Sequence, residues 1–231
     1  MVRCAFNFLF PFSCVACGCV VERTGFCAQC WTSVDFIVHP YCLLCGDPSA
    51  DDKTKVCRLC RQKTPLFNSH QSLFYYGPLT RKLIFSLKYG RRRYLAECFA
   101  HWLLPKVLNY RVDMIIPVPL HPKKLSQRGF NQSALVADHL GRLTGIPVHK
   151  TILIRHLNTP SQGFFSQSQR EENVSGVFSV VDGQDDPLKD MHILLIDDVY
   201  TTGATLGACT DVLRAAGAFY VHALTLTKVV V

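Results

Sequence analysis

Beyond about residue 70, short apolar runs alternate with segments whose apolar positions recur every three or four residues. Such runs are typical of buried strands in a parallel sheet, and the wider spacing is typical of helices packed on one face. Pro105 is expected to disturb the end of one helix, and Gly217 to end the last helix. The pattern predicts an α/β domain, with strands over 72–76, 114–118, 148–154, 192–196 and 220–227 and helices over 78–88, 94–104, 131–143 and 204–216.

The first 65 residues lack this alternation and are organised by cysteine instead. Four C-x-x-C pairs occur there, and such a turn lets two thiolates face one tetrahedral ion about 2.3 Å away. Gly18 and Gly46 each follow the second cysteine of a pair, where a tight turn favours a positive φ. We predict a zinc-ribbon module over residues 1–65 and an α/β domain over 70–231. The predicted metal ligands are Cys14, Cys17, Cys27, Cys30, Cys42, Cys45, Cys57 and Cys60.

The cysteine pairs can share two metal ions in more than one way. Sequential grouping is preferred, in which the first two pairs bind one zinc and the last two bind another, but an interleaved grouping stays open. Either arrangement is a closed Cys4 shell without an open coordination position, so the metal is structural. Iron also fits a sulfur-only shell. The other cysteines are expected to be small packing residues, namely Cys4, Cys19, Cys98 and Cys209.

Composition and charge narrow the class of protein. Hydrophobic residues make up 48% of the chain, which excludes global disorder. The apolar stretch over 6–12 is interrupted by Asn7 and Pro11, and no small-residue cleavage site follows it, so a secretory signal is not expected. Metal-bound thiols are typical of a reducing compartment, which predicts a cytoplasmic protein. The net charge of +8 suits an anionic partner, although a mildly basic soluble surface is the alternative.

The richest chemistry lies in the sequence HILLIDDVYTTGAT over residues 192–205. A buried strand ends there in two carboxylates, and a turn leads into a helix, which is where open α/β sheets bind ligands. Asp197 and Asp198 suit hydroxyl groups, whereas the hydroxyls, the glycine and the helix dipole beyond them suit a phosphate. A ribose 5-phosphate satisfies both requirements. The predicted phosphate-binding residues are Thr201, Thr202, Gly203, Ala204 and Thr205.

A second candidate is the sequence IPVPLHPKKLSQRGFNQS over residues 116–133. A strand runs there into a basic turn with prolines, where backbone amides and cationic side chains can meet an anion. The alternative is a solvated basic loop. The predicted anion-binding residues are Val118, Lys123, Lys124 and Arg128.

LLIDDVYTTGAT resembles the ribose-phosphate signature of class I phosphoribosyltransferases, and the chain lacks the G-x-x-x-x-G-K-[ST] loop of nucleotide hydrolases. The four C-x-x-C pairs, LKYGRR, PVPLHPKKLSQRGFNQS and T-P-S-Q with R-x-x-N downstream extend the likeness, so that essentially the whole chain resembles the ComF/GntX family. The resemblance implies a phosphoribosyltransferase type I fold with a small N-terminal Cys4 zinc-ribbon module. It also implies a role in natural competence, in the handling of single-stranded DNA, with a looser link to gluconate use through GntX-type relatives.

The resemblance further implies Mg²⁺ with phosphoribosyl pyrophosphate as a ligand, and Asp197 and Asp198 as catalytic residues that hold the ribose hydroxyls. The polar segment over 155–178 resembles the flexible catalytic loop of that fold. The sequence ends at Val231, after the last predicted strand, so either the zinc module serves as the hood over a nucleobase or no nucleobase is bound. An active enzyme with an unidentified acceptor, a binding protein and a structural adaptor all stay open.

Single-stranded DNA is the macromolecular partner that we expect, with DNA-uptake or helicase machinery as a possible protein partner. A basic cluster supplies salt-sensitive attraction to phosphates, and interleaved aromatic residues can stack on bases. The cluster comprises Lys88, Arg91, Arg92, Arg93, Lys123, Lys124 and Arg128, and the aromatic residues are Tyr89, Tyr94 and Phe130.

Overall fold

The computed structural model describes residues 12–48, 53–90, 92–157, 176–181 and 188–230. Two short helices lie in the cysteine-rich part, α1 (Ala28–Thr32) and α2 (Arg58–Gln62). The elements that follow are β1 (Ser69–Tyr75), α3 (Pro78–Tyr89), α4 (Leu95–Val107), β2 (Met114–Pro117), α5 (Pro122–Arg128), α6 (Gln132–Thr144), β3 (Leu153–Arg155), β4 (Phe178–Val180), β5 (His192–Tyr200), α7 (Ala204–Ala215) and β6 (Tyr220–Lys228).

Among the residues that the structure describes, the main sheet has four strands in the order β1-β6-β5-β2, and every neighbouring pair is parallel. This arrangement confirms the predicted α/β class with a parallel sheet. β5 lies between β2 and β6, so Leu194 is opposite Ile115 on one side and His222 on the other. β3 and β4 form a separate antiparallel pair.

Alternate residues of β5 point to opposite faces of the sheet, and each face has its own core. Leu194 and Ile196 pack with α3, α4 and α6 on what we call the first face. Ile193 and Leu195 pack with α7, β3 and β4 on the second face. The period of two along β5 thus divides the protein into two hydrophobic layers.

The cysteine-rich part contacts both faces. Val15 and Val34 belong to the core of the first face, whereas Cys42, Cys57 and Phe67 belong to the core of the second face. Between Val34 and Cys42, residues 35–37 run along the outer edge of β1.

Both outer strands of the main sheet are bonded on their outer sides. At the β1 edge, Ile37 N–H donates to the Leu73 carbonyl at 3.0 Å, and Tyr75 N–H donates to the Asp35 carbonyl at 2.9 Å. At the β2 edge, Ile115 N–H donates to the Pro147 carbonyl at 2.9 Å, and its own carbonyl accepts from His149 N–H at 2.9 Å.

Several predicted elements differ in the structure. The strand predicted over 148–154 is a single bridge from Val148 to Ile115 followed by the short β3. α4 continues past Pro105, because Leu108 N–H still donates to the Leu104 carbonyl at 3.2 Å and closes the last turn.

The segment predicted as a basic turn forms the helix α5 instead, and neighbouring residues explain where this helix begins and ends. Pro122 occupies the first turn, where its missing N–H costs nothing, and the His121 ring accepts the Lys123 N–H as a cap. Gly129 ends the helix with a φ of 77°. Gly18, Gly46 and Gly217 also have positive φ, as predicted for the two cysteine turns and the last helix.

Candidate phosphate site and cysteine clusters

The threonine turn, residues 201–205, connects β5 to α7 at the carboxyl end of the sheet. Gly203 has a φ of 81°, and a Cβ added there would lie 2.8 Å from the Tyr200 hydroxyl, so only glycine fits without a shift. All five residues of the turn are half-buried. The first amides of α7 lack helical acceptors, which makes this turn a favourable place for an anion.

The acid pair, Asp197 and Asp198, precedes this turn within β5. Asp198 is buried, and its Oδ2 lies 2.8 Å from the Lys88 ammonium. The Gln132 side-chain amide also donates to this oxygen. A buried carboxylate needs such partners, because an unpaired charge would be costly to keep away from water.

Asp197 differs from its neighbour in its environment. Its Oδ1 accepts the Asp198 N–H at 2.8 Å and the Ser133 hydroxyl at 3.3 Å. Burial, followed by the nearby Asp198 charge, raises the pKa of Asp197 to about 7, although Lys88 opposes the shift. The acid pair therefore combines a paired carboxylate with a carboxyl that changes its charge near neutral pH.

Basic side chains converge beside the acid pair. Burial and the charges of Arg155, Arg128 and Lys88 lower the pKa of Lys124. Burial lowers the pKa of Arg155, although the charge of Asp197 opposes that shift. Lys123 on the same helix is exposed. The arrangement is a positively charged side of the site that suits the oxygens of a pyrophosphate.

Arg128 connects the acid pair to the surface. Its Nη1 donates to Gln132 Oε1, and its Nη2 donates to the Tyr89 hydroxyl at 3.0 Å. Because Gln132 in turn donates to Asp198, one continuous chain of hydrogen bonds runs from Tyr89 to the acid pair.

The backbone groups of Val118 have partners within the protein. Its N–H donates to the Ile196 carbonyl at 2.9 Å, and its carbonyl accepts from the Asn131 amide at 2.9 Å. Both backbone groups thus hold the segment between β2 and α5, and an anion contact at Val118 stays a prediction.

The second cysteine cluster comprises the thiols of Cys42, Cys45, Cys57 and Cys60, whose sulfur atoms all lie within 4.8 Å of one another. All four residues are buried, and the Cys45 and Cys57 sulfurs are 3.7 Å apart. Four sulfurs about 2.3 Å from one tetrahedral zinc would be separated by about 3.8 Å, so the cluster fits a structural zinc ion.

The first cysteine cluster contains one unexpected member. The sulfurs that lie within 4.8 Å of one another belong to Cys14, Cys17, Cys19 and Cys27. Cys30 adjoins the group, since its N–H donates to Cys27 Sγ at 3.4 Å and its thiol hydrogen-bonds to Cys27. Cys19 is therefore no isolated packing residue, and this cluster offers five thiols to one metal ion. The grouping within both clusters is sequential, and Cys98 and Cys209 are buried in the two cores.

The site includes residues that sequence reasoning left without a role there. Gln132 and Ser133 stand in the quoted segment 116–133, whose amide and hydroxyl side chains were an available signal. Lys88 was assigned to the DNA-binding cluster, but its ammonium contacts Asp198. Arg155 of β3 lies close enough to Asp197 for the two charges to influence each other, although the sequence placed it only at the start of the segment likened to a catalytic loop.

A parallel sheet flanked by helices, with the acid pair and threonine turn at its carboxyl edge, defines a phosphoribosyltransferase-type domain, which is here joined to two clusters of cysteine thiols. A family model described as "Double zinc ribbon domain" matches residues 5–67. Among solved structures, the purine phosphoribosyltransferase from Pyrococcus horikoshii is 18% identical over 59% of this chain and 87% of its own, with a TM-score of 0.37.

The curated relatives cover nearly the whole chain. "DNA utilization protein YhgH" of Salmonella typhimurium is 30% identical over 215 residues, which are 90% of this chain and 92% of the relative. "Competence protein F" of Haemophilus influenzae is 27% identical over 90% of this chain and 93% of its own. "Competence protein ComFC" of Bacillus subtilis is 27% identical over 87% of this chain and 83% of its own. The chain belongs to the ComF/GntX family.

Within the described part of the chain, no helix combines the length and apolar character that crossing a membrane requires. Arg91 and most of the segment predicted as a flexible catalytic loop, including Arg170 and Asn173, lie outside the described residues, as do Cys4 and the apolar positions 6–11.

Proposed function

We propose that the protein handles single-stranded DNA during DNA uptake or use in the cytoplasm, and that its threonine turn and acid pair hold a phosphoribosyl ligand. The names of the relatives, which are competence and DNA utilization proteins, support the DNA-related role. The identity of the ligand rests on the chemistry of the site.

The observation that carries the DNA proposal is a surface of stacked arginine and aromatic side chains beside the acid pair. The Arg93 guanidinium lies 4.6 Å from the Phe130 ring centre, and the Arg128 guanidinium lies 4.8 Å from that of Tyr89. Tyr89 is 59% exposed and packs 4.9 Å from the exposed Phe85 ring. We name these five residues the aromatic–arginine surface. Cations supply contacts to phosphates, and exposed rings supply stacking platforms for bases.

The phosphoribosyl ligand follows from the two chemically distinct halves of the site. Amides and hydroxyls of residues 201–205 would hold the 5-phosphate, and Asp197 and Asp198 would accept hydrogen bonds from the ribose hydroxyls. Lys124 and Arg128 would attract a pyrophosphate group at carbon 1. Mg²⁺ would arrive with the ligand and neutralise part of its charge.

The DNA proposal is tested by the salt dependence of binding to a fluorescent single-stranded oligothymidine. Replacing Arg93 and Arg128 by Ala removes two phosphate-neutralising charges, so the logarithmic salt slope should decrease by about 1.4. The matched control replaces Arg23 and Arg142, two exposed arginines outside this surface, by Ala. An equal slope in both double variants would remove the surface from the DNA footprint.

An active phosphoribosyltransferase with an unidentified acceptor is the second candidate. The convergent cations favour it, because group transfer at carbon 1 needs a stabilised pyrophosphate leaving group. Calorimetric titration with Mg²⁺-phosphoribosyl pyrophosphate should show binding to the wild type and loss of binding in the Asp197→Asn/Asp198→Asn variant. Release of pyrophosphate, as water or an added nucleobase forms the new bond at carbon 1, would identify an enzyme, whereas binding without release in water and with each nucleobase would identify a ligand-binding protein.

A further inference from the structure

A cavity of about 840 Å³ lies between the second cysteine cluster and α7. One wall is the segment after Cys57, where Leu59 and Leu66 are 66% and 48% exposed. The opposite wall is α7, whose Gly207 and Ala208 leave room for an occupant. Pockets of this volume with mostly apolar walls and a few polar groups are typical of small-molecule sites.

The cavity ends at the threonine turn. Thr201, Thr202, Gly203 and Ala204 line it, but the acid pair does not. It lies on the second face of the sheet, whereas Lys88 and Gln132 reach Asp198 from the helices of the first face. A phosphate in the threonine turn would therefore have one path toward the acid pair and another path into the cavity.

A phosphate monoester would use only one of these paths, whereas a phosphodiester would use both. We propose that the cavity binds the nucleoside on the 5′ side of a phosphodiester whose phosphate occupies the threonine turn. The protein then holds the last dinucleotide step of a single-stranded DNA at this site, with the 3′-terminal sugar near the acid pair, because a terminal 3′-hydroxyl is free to donate to a carboxylate. The proposal rests on the proposed function and specifies its substrate.

The lining of the cavity suits a nucleoside. Leu59, Leu66 and Phe67 supply apolar surface for the faces of a base and sugar. At the inner end, the Lys228 ammonium is buried, lies 4.3 Å from the Tyr200 ring centre and is 3.8 Å from the Asp47 carboxylate. A cation and a carboxylate together can match the acceptor and donor groups on the edge of a base.

Competition against labelled oligothymidine tests the proposal, with thymidine 5′-monophosphate and the dinucleotide thymidylyl-(3′→5′)-thymidine as competitors. One additional base contact contributes about 1–3 kcal/mol, so the dinucleotide should compete at about tenfold lower concentration with the wild type. Leu59→Gln and Ala208→Phe should reduce that advantage to about twofold or less, the first by removing apolar wall and the second by filling the cavity. Leu108→Gln is the matched control, since Leu108 is 70% exposed and lies outside the lining.

Two further measurements are made on each variant. The zinc content reports on folding, and binding of Mg²⁺-phosphoribosyl pyrophosphate reports on the threonine turn. An undiminished dinucleotide advantage in both variants would overturn the proposal. Equal weakening of the mononucleotide would also overturn it, because the cavity would then hold the base of a mononucleotide. A wild type that binds neither phosphoribosyl pyrophosphate nor oligothymidine would instead contradict the proposed function.

Discussion

The two cysteine clusters share the same C-x-x-C motifs but differ in their surroundings. In the first cluster Cys17 and Cys19 are exposed, whereas in the second cluster all four cysteines are buried. Beside the first cluster, the ring of Phe26 stacks on Trp102 of α4, with the ring centres 4.8 Å apart, so aromatic packing joins this cluster to the α/β domain. The second cluster also forms a wall of the cavity at the threonine turn. The same C-x-x-C motif therefore packs against the α/β domain in the first cluster, and forms part of a candidate ligand site in the second cluster.

A buried histidine connects the second cluster to the ligand site. His70 Nδ1 donates to the Cys45 carbonyl at 2.9 Å, and its Nε2 lies 3.0 Å from Thr225 Oγ1. Burial lowers the pKa of His70 to about 3, so the ring is neutral and its stacking 4.1 Å from Tyr200 is undisturbed near neutral pH. Tyr200 in turn contacts the position of Gly203, so the second cluster and the threonine turn are linked by direct contacts.

The largest expected effect comes from breaking one cluster at a time. An apparent free energy of about 10–16 kcal/mol for a structural zinc is comparable with the stability of a whole domain. Cys60→Ser should therefore lose one zinc per chain and bind phosphoribosyl pyrophosphate about tenfold or more weakly, because the second cluster supports Tyr200 and, through it, the threonine turn. The Cys19→Ser/Cys30→Ser double variant is the matched change in the first cluster, because it also loses one zinc, and it should leave ligand binding within about twofold. Equal losses, measured by metal analysis and calorimetry, would contradict the difference between the clusters.

The second prediction concerns the connection through His70. His70→Phe keeps an aromatic ring against Tyr200 but leaves the Cys45 carbonyl without its buried donor, so the unfolding free energy should fall by about 1–3 kcal/mol. Ligand binding should weaken as well, because Tyr200 underlies the threonine turn. Trp102→Phe is the corresponding change beside the first cluster, and we expect it to alter stability without altering ligand affinity. Denaturant unfolding and calorimetry measure both quantities, and unchanged ligand affinity in His70→Phe would break the proposed connection.

The third prediction is that the stability of the protein depends on pH through Asp197. The carboxyl of Asp197 lies near Arg155 and Cys209, on the same face of the sheet as the second cluster. Because its folded pKa of about 7 exceeds the unfolded value, the folded state binds the proton more tightly, and this stabilisation is lost as pH rises toward 7. Asp197→Asn has no such loss, so its stability relative to the wild type should increase by about 1–2 kcal/mol between pH 5.5 and pH 8.

Denaturant unfolding at both pH values measures this difference, and Asp35→Asn, at an exposed position, is the control. A stability gain of Asp197→Asn that is the same at both pH values would mean that the carboxyl has no raised pKa.

The smallest expected effect concerns the fifth thiol of the first cluster. Since a tetrahedral zinc needs four ligands, Cys19→Ser and Cys30→Ser should each retain two zinc ions per chain, and only the double variant should fall to one. Cys45→Ser should lose one zinc as a single change, because its cluster has no spare thiol among the described residues. Metal analysis and the rate of zinc release to a chelator measure these outcomes, and a single Cys19 or Cys30 variant with one zinc would identify that cysteine as indispensable.

Local chemistry made part of this molecule predictable from its sequence. The C-x-x-C spacing predicted two thiol clusters, and the acid pair and the threonine turn lie at the end of a strand and the start of a helix as predicted, because each group is formed by neighbouring residues. The partners of Asp198 come from distant segments, so neither Lys88 nor Gln132 could be assigned from spacing. Likewise, Cys19 is outside the C-x-x-C pairs and joins the first cluster only because the folded chain brings its sulfur close to the others, so the spacing did not predict it.

The covered edges of the main sheet have a consequence for association. An outer strand with free backbone groups is a template for another strand, either from a peptide partner or from an aggregating copy. Here the hydrogen-bonding capacity of Leu73 and Tyr75 at one edge, and of Ile115 at the other, is used by segments of the same chain. We therefore expect protein partners to dock on side chains rather than by strand addition at these positions. The same covering protects the folded protein against edge-to-edge aggregation.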